Sequence, residues 1–186
     1  MTRTQYYVAA SLDGFIADTE DGLDWLLSRR SERGGPPGYA AFIAATGAIA
    51  MGARTYRWIL DHDAGAGDGV WPYEVPCWVF THHELPVVPG ATVLFTSEPV
   101  AAVHREMVRA AGGRNVWVVG GGDLAGQFSD AGLLDELVLA IAPVTLGAGA
   151  PLLPRRVELA LEGVVRDGDF ACARYAVVRA ARCPDC

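Results

Sequence analysis

Residues 115–124 read NVWVVGGGDL. An apolar run of strand type (115–119) passes directly into Gly120, Gly121 and Gly122, and a helix-compatible stretch (123–131) opens at Asp123. A strand that turns into a helix through glycine is the unit of an α/β fold. Glycine has no Cβ, so three in a row at the carboxyl end of a strand let a ligand come against bare backbone. The helix that follows would aim unpaired N–H groups and the positive end of its dipole at the same spot. Together these make a seat for a phosphate or pyrophosphate, at the place where open α/β sheets bind nucleotides. The plainer explanation is a tight turn with Asp123 in the first helical turn. One glycine suffices for that, and three favour a ligand. Gly120 to Ala125 also satisfies G-x-G-x-x-A, but the motif falls late in the chain. The acid expected about 20 residues beyond an NAD-type motif is also missing, since 139–147 reads LAIAPVTLG.

Working outward, two more strand ends carry polar groups. Met51-Gly52-Ala53-Arg54-Thr55-Tyr56 repeats the strand, glycine, helix order. Arg54 opposes the helix dipole there, so it is either a solvated surface residue or the reader of an external anion. Thr81-His82-His83 closes a strand over 77–81. Adjacent histidines face opposite ways on a strand and make no metal pair, and no metal site is expected. His62 and His104 read as surface residues. Further strands are expected at 5–10, 48–51, 92–95 and 136–141, and helices at 39–46, 54–60 and 99–111. Residues 31–38 and 61–69 are loop by their glycine and proline content. Two extended runs, 157–166 and 170–179, flank Asp167-Gly168-Asp169, a strong hairpin signal. The fold class is therefore α/β: one domain over residues 1–180, with a mixed, mostly parallel sheet, flanking helices and a C-terminal antiparallel hairpin. Residues 181–186 are expected to be a flexible tail.

The bulk properties agree. The 186 residues are 51% hydrophobic and 20% charged, with mean hydropathy +0.21, enough for one packed core. A net charge of −7 argues against a nucleic-acid partner. Apolar runs too short for a membrane span and an N-terminus without signal-peptide character make the cytoplasm the expected location. All 15 basic residues are arginine. The missing lysine excludes Schiff-base, pyridoxal-phosphate and Walker-type phosphate chemistry. Cys77 and Cys172 read as buried free thiols. Cys183 and Cys186 form half a zinc site at best.

Three segments in order, VAASLDGFIA with GLDWL behind it, MGARTY and WVVGGGDLAGQF, resemble dihydrofolate reductase. They resemble more closely the reductase domain of the riboflavin-pathway deaminase/reductase, and a later run, AGLLDELVLAIAPVTLGAGAPLL, strengthens this second comparison. The resemblance spans about residues 5–180 and implies a dihydrofolate-reductase-like domain, NADPH as cofactor, a small-molecule substrate and a homodimer. By position it implies that Ala9, Ala10 and Ile16 flank the nicotinamide. It puts Gly52, Arg54 and Thr55 at the adenosine-side phosphates, and Thr81 and His82 near the 2′-phosphate. Gly120, Gly121, Gly122, Asp123, Leu124 and Gln127 would form the pyrophosphate seat. Asp13 and Trp25 fall on the substrate side, against the alternatives of an Asp-Gly turn and plain core.

The departures concern the substrate half. No carboxylate follows Trp25 where dihydrofolate reductases hold the pterin, so dihydrofolate should be a poor substrate. Val119 replaces an acid before the glycines, Phe15 stands where a basic residue is common, and 56–60 (YRWIL) lacks the D-D-P-x-L-type stretch. Two functions are therefore expected to compete. One is an NADPH-dependent reductase of a small heterocyclic or sugar-like substrate, like 5-amino-6-(5-phosphoribosylamino)uracil reductase; the other is a nucleotide-binding protein of the same fold without significant turnover.

Overall fold

The computed structural model describes residues 1–32, 38–62 and 71–179. In chain order the elements are β1 (Thr4–Ser11), β2 (Phe15–Ala17), α1 (Asp24–Leu27), α2 (Tyr39–Ala44), β3 (Thr46–Gly52), α3 (Ala53–His62), β4 (Cys77–Phe80) and β5 (Val93–Thr96). They continue with α4 (Val100–Ala110), β6 (Asn115–Gly120), α5 (Gly122–Asp130), β7 (Glu136–Ala142), β8 (Ala150–Pro151), β9 (Leu159–Asp167) and β10 (Phe170–Val177). The proposed tail with Cys183 and Cys186, and most of the two glycine-rich loops, lie outside the described residues.

Eight strands form one sheet in the order β5-β4-β3-β6-β1-β7-β10-β9, while β2 and β8 pair separately. β1 lies between β6 and β7 and is parallel to both, and β3, β4 and β5 extend the parallel part. β10 runs antiparallel to β7 and β9. The inner parallel strands β3, β4 and β6 are buried on both faces, which is why AIAM, CWVF and VWVV are continuously apolar instead of alternating. On one face α4 and α5 pack Val103, Met107, Leu124 and Phe128 onto Tyr6, Val116 and Val118. On the other, Phe42 of α2 and Tyr56 and Ile59 of α3 pack onto Ile49, Met51, Val79 and Trp117. The described helices hold no segment long and apolar enough to cross a membrane.

The strands carry one buried polar strip. Glu136, fully enclosed, accepts from the Gln5 amide at 2.6 Å and is paired with Arg3 and Arg174. Three partners offset the cost of burying a carboxylate.

The hairpin is placed as expected, and its turn has a second task. Gly168 takes a left-handed φ of +59°, and a Cβ there would stand 2.1 Å from the Arg30 carbonyl oxygen. Backbone and carboxylate bonds from Asp167 and Asp169 to Arg30, Ser31 and Glu32 clamp the chain after α1. Three short elements lie where only loop was legible: β2, its two-residue partner β8, and the four-residue α1. Segments this short hold too few residues for a period to show. His104 is corrected too: it is half-buried on α4, bonded to the Thr4 hydroxyl at 2.8 Å and edge-on to Phe128, and burial lowers its pKa.

Candidate functional site

A cleft of about 950 Å3 opens over the carboxyl ends of β1, β3 and β6. Parallel strands end their carbonyls on the same side, so the loops that follow each strand gather there. Of the residues singled out in the sequence, Ala9, Ile16, Gly52, Arg54, Thr55, Gly120, Gly121, Gly122, Asp123, Leu124 and Gln127 line it. Five do not. Ala10 alternates to the opposite face of β1 and is packed under α4 and α5. Thr81 and His82 border a separate shallow hollow with His83 and Phe95. There the Thr81 hydroxyl is engaged with the backbone of His83, the polarity of an ordinary turn. Trp25 donates from Nε1 to the Gly22 carbonyl at 3.2 Å and packs toward Phe170 and Cys172.

Asp13 stands outside the lining and fastens a loop. Its carboxylate accepts the Ser11 hydroxyl at 2.6 Å, the Gly147 N–H at 2.7 Å and the Leu146 N–H at 3.1 Å. These bonds, that from Ser11 foremost, hold its pKa down at about 2. A carboxyl more acidic folded than unfolded stabilises above its unfolded pKa of about 4 and loses that contribution as pH falls through about 2. We therefore expect the melting temperature of the parent to fall more steeply between pH 4 and pH 2 than that of Asp13→Asn, which has lost the link at every pH. Parallel acid limbs in a thermal series would show that Asp13 fastens nothing.

The three glycines do different things. A Cβ on Gly120 would come within 2.9 Å of the Thr55 hydroxyl, and one on Gly122 within 2.1 Å of the Pro151 carbonyl oxygen. A Cβ on Gly121 would meet nothing within 4 Å. Gly121 is also the N-cap of α5, in extended conformation, and among the described residues no side chain caps that helix. The first-turn N–H groups of Gly122, Asp123 and Leu124 therefore lack a side-chain acceptor and belong to residues that line the cleft. Uncapped amides, a helix dipole and free space over Gly121 fit a diphosphate.

Acidic and basic groups border this seat. Asp123 accepts from Gln127 Nε2 at 2.9 Å and Arg155 Nη2 at 2.8 Å, and these bonds, that from Gln127 first, lower its pKa. Arg155, which nothing in its own segment singles out, also binds Asp130 at 2.9 Å. Arg54 opens α3 and meets Asp21, carried by the loop after β2, at 3.2 Å. That loop is folded around Asp18, whose carboxylate accepts the N–H of Glu20 and of Gly22.

The other end of the cleft is aromatic. Tyr7, Trp58, Tyr73 and Trp117 line it with Leu23 and Leu26. Tyr7 stacks on Phe42 at a centroid distance of 4.2 Å, and Tyr73 meets Trp117 edge-on at 5.6 Å. Burial foremost keeps the Tyr7 phenol well above its ordinary pKa, so it is neutral at physiological pH. Tyr7 lies two residues from Ala9, and Trp117 two from Val119. Strand alternation alone would have put both on the cleft face.

Comparison with known proteins agrees with this geometry. The RibD C-terminal domain model matches residues 4–169. The uncharacterized Bacillus subtilis protein YwjB is 30% identical over 177 residues, covering 93% of this chain and 97% of its own. A protein of Shewanella sp. PV-4, provisionally named as a riboflavin biosynthesis protein, superposes with TM-score 0.75 at 25% identity, covering 95% of this chain and 99% of its own. The Acinetobacter baumannii RibD protein shares the fold, with TM-score 0.71 at 16% identity over 96% of this chain but 58% of its own. The sheet order, the glycine-lined cleft and a match that spans most of the sequence lead to one conclusion: the chain belongs to the RibD C-terminal domain family.

Proposed function

We propose that the protein is an NADPH-dependent reductase that transfers a hydride to a small heterocyclic or sugar-like substrate. The observation that carries this is the uncapped start of α5 with open space over Gly121. Bound NADPH would supply the hydride. Gly120, Gly121, Gly122 and Leu124 would hold its pyrophosphate through backbone N–H groups, Thr55 and Arg54 the adenosine-side phosphates, and Ala9 and Ile16 the edges of the nicotinamide. Apolar walls exclude water, and the rigid strand ends fix orientation, which is the larger part of what a protein contributes to such a reaction.

Arg54 is engaged by Asp21, but both side chains are largely exposed. A pair of that kind is worth under about 1 kcal/mol, and a phosphate, with two negative charges and matched geometry, displaces it. NADPH should therefore bind on the order of ten- to a hundredfold more tightly than NADH, and Arg54→Ala should erase most of the difference. Equal affinities in the parent, measured by titration, would remove Arg54 from the site. Oxidation of NADPH with carbonyl or imine acceptors then separates a reductase from a nucleotide-binding protein without turnover.

A homodimer belongs to the same proposal. β9 is an edge strand of nine residues, exposed along nearly its whole length, with Leu161, Val164 and Val165 among the exposed apolar side chains. Such an edge invites pairing unless it is covered. Light scattering should give twice the 19.7 kDa chain mass, and Val164→Lys should shift it toward the monomer. A parent monomeric at micromolar concentration would count against the dimer.

A further inference from the structure

We propose that the substrate end of this cleft takes a planar aromatic ring that carries no phosphate. The inference rests on the reductase reading, because that reading assigns the glycine end to the cofactor and leaves the aromatic end to the substrate. Two independent features of the lining point the same way.

The first is shape and polarity. Tyr7, Trp58, Tyr73 and Trp117 surround this end, with Leu23 and Leu26 closing it from the side of α1. Trp58 is held flat against His62, with ring centroids 4.3 Å apart and planes 9° from parallel. Trp117 is fixed by its Nε1 bond to the Tyr7 carbonyl at 3.0 Å. Aromatic walls held rigid in this way favour a flat π-system, which gains from stacked and edge-on contacts that a bare sugar cannot make.

The second is charge. Among the described residues that line the cleft, Arg54 is the sole basic side chain, against three carboxylates, Asp18, Asp21 and Asp123. Arg54 opens α3 beside Gly52 and Thr55, with the groups assigned to the cofactor, and it faces Asp21. Arg155 is bound to both Asp123 and Asp130. Among the described lining residues a phosphate beside these rings would find one cation, Arg54, one turn before Trp58 on α3 and already facing Asp21, against three carboxylates, so desolvation and like-charge repulsion oppose it. This disfavours phosphoribosyl compounds as substrates and favours neutral or cationic rings.

Lumiflavin and FMN share one tricyclic ring and differ chiefly in the phosphoribityl chain, so they serve as the probe pair. Binding is measured by titration calorimetry with NADP+ at saturation, which fills the phosphate seat at the glycines. Lumiflavin should bind at least about tenfold more tightly than FMN. Trp58→Ala should weaken lumiflavin several-fold, up to about tenfold. Leu26→Arg, which adds a cation at this end, should narrow or reverse the preference, with circular dichroism confirming that both variants are folded. A parent that binds FMN as tightly as lumiflavin, or that fails to bind lumiflavin, overturns the proposal, and so does lumiflavin binding untouched by Trp58→Ala. NADP+ is also titrated alone, and the probes are compared in its absence. Failure of the dinucleotide to bind sinks the reductase reading while leaving the order of the probes readable.

Discussion

Gly121→Val should abolish useful binding of NADPH while leaving the protein folded. The φ and ψ of this residue are open to valine, and apart from its chain neighbours its Cβ would meet no heavy atom within 4 Å. The branched side chain would instead fill the space over the start of α5, where the proposed diphosphate must touch backbone N–H groups. Loss of two or more charge-assisted hydrogen bonds costs roughly 3 kcal/mol, about a hundredfold in affinity. Ala125, four residues on in the first turn of α5, is no control, because it is fully buried in the core with α4 and valine would overpack it there. Gly163→Val on the exposed strand β9, where a Cβ also meets nothing within 4 Å, controls for the added bulk. It should bind NADPH like the parent. A folded Gly121→Val protein with parental affinity would remove the phosphate seat and most of the case for a reductase.

The strand, glycine and helix order behind the proposed seat was legible because glycine leaves a local mark: three in a row between an apolar run and a helix start need no tertiary information. The same holds for the inner parallel strands β3, β4 and β6, whose continuous apolar runs report burial on both faces, and for the hairpin around Gly168. What escaped depended on contacts between distant segments. Arg155 reaches Asp123 across 32 residues and Arg54 reaches Asp21 across 33, separations at which no period or spacing survives. Ala10 was placed beside the nicotinamide by its position in a motif, but alternation along β1 turns its side chain into the core. The aromatic wall lay between these cases. Tyr7 and Trp117 could have been read from strand alternation, two positions from Ala9 and Val119, and the register of β1 against β6, Gln5 beside Trp117, agrees with that placement.

The structure also divides the glycine motif into parts that should fail in different ways. Gly122→Ala, within the same proposed seat but one residue on from Gly121, is expected to destabilise the fold more than it weakens cofactor binding. Its methyl group would point at β8, 2.1 Å from the Pro151 carbonyl oxygen and 2.5 Å from that of Leu152. These are backbone atoms with little room to yield. Leu152 is tied to the Gly14 carbonyl by its N–H at 2.9 Å, and its own oxygen accepts the Tyr6 hydroxyl at 3.1 Å. Overpacking against a fixed neighbour costs about 3 kcal/mol, and the better helix propensity of alanine returns at most about 1 kcal/mol. A net loss of about 2 kcal/mol in a chain of this length lowers the melting temperature by roughly 4–8 °C. At temperatures where the variant remains folded, NADPH affinity should fall far less than the hundredfold or so expected for Gly121→Val, because the new group faces β8 and not the diphosphate. The decisive comparison is a melting curve and a titration on both variants. Gly121→Val should keep its melting temperature and lose its ligand, and Gly122→Ala should do the reverse. If both variants lost stability and affinity in the same proportion, the triplet would be a turn and nothing more.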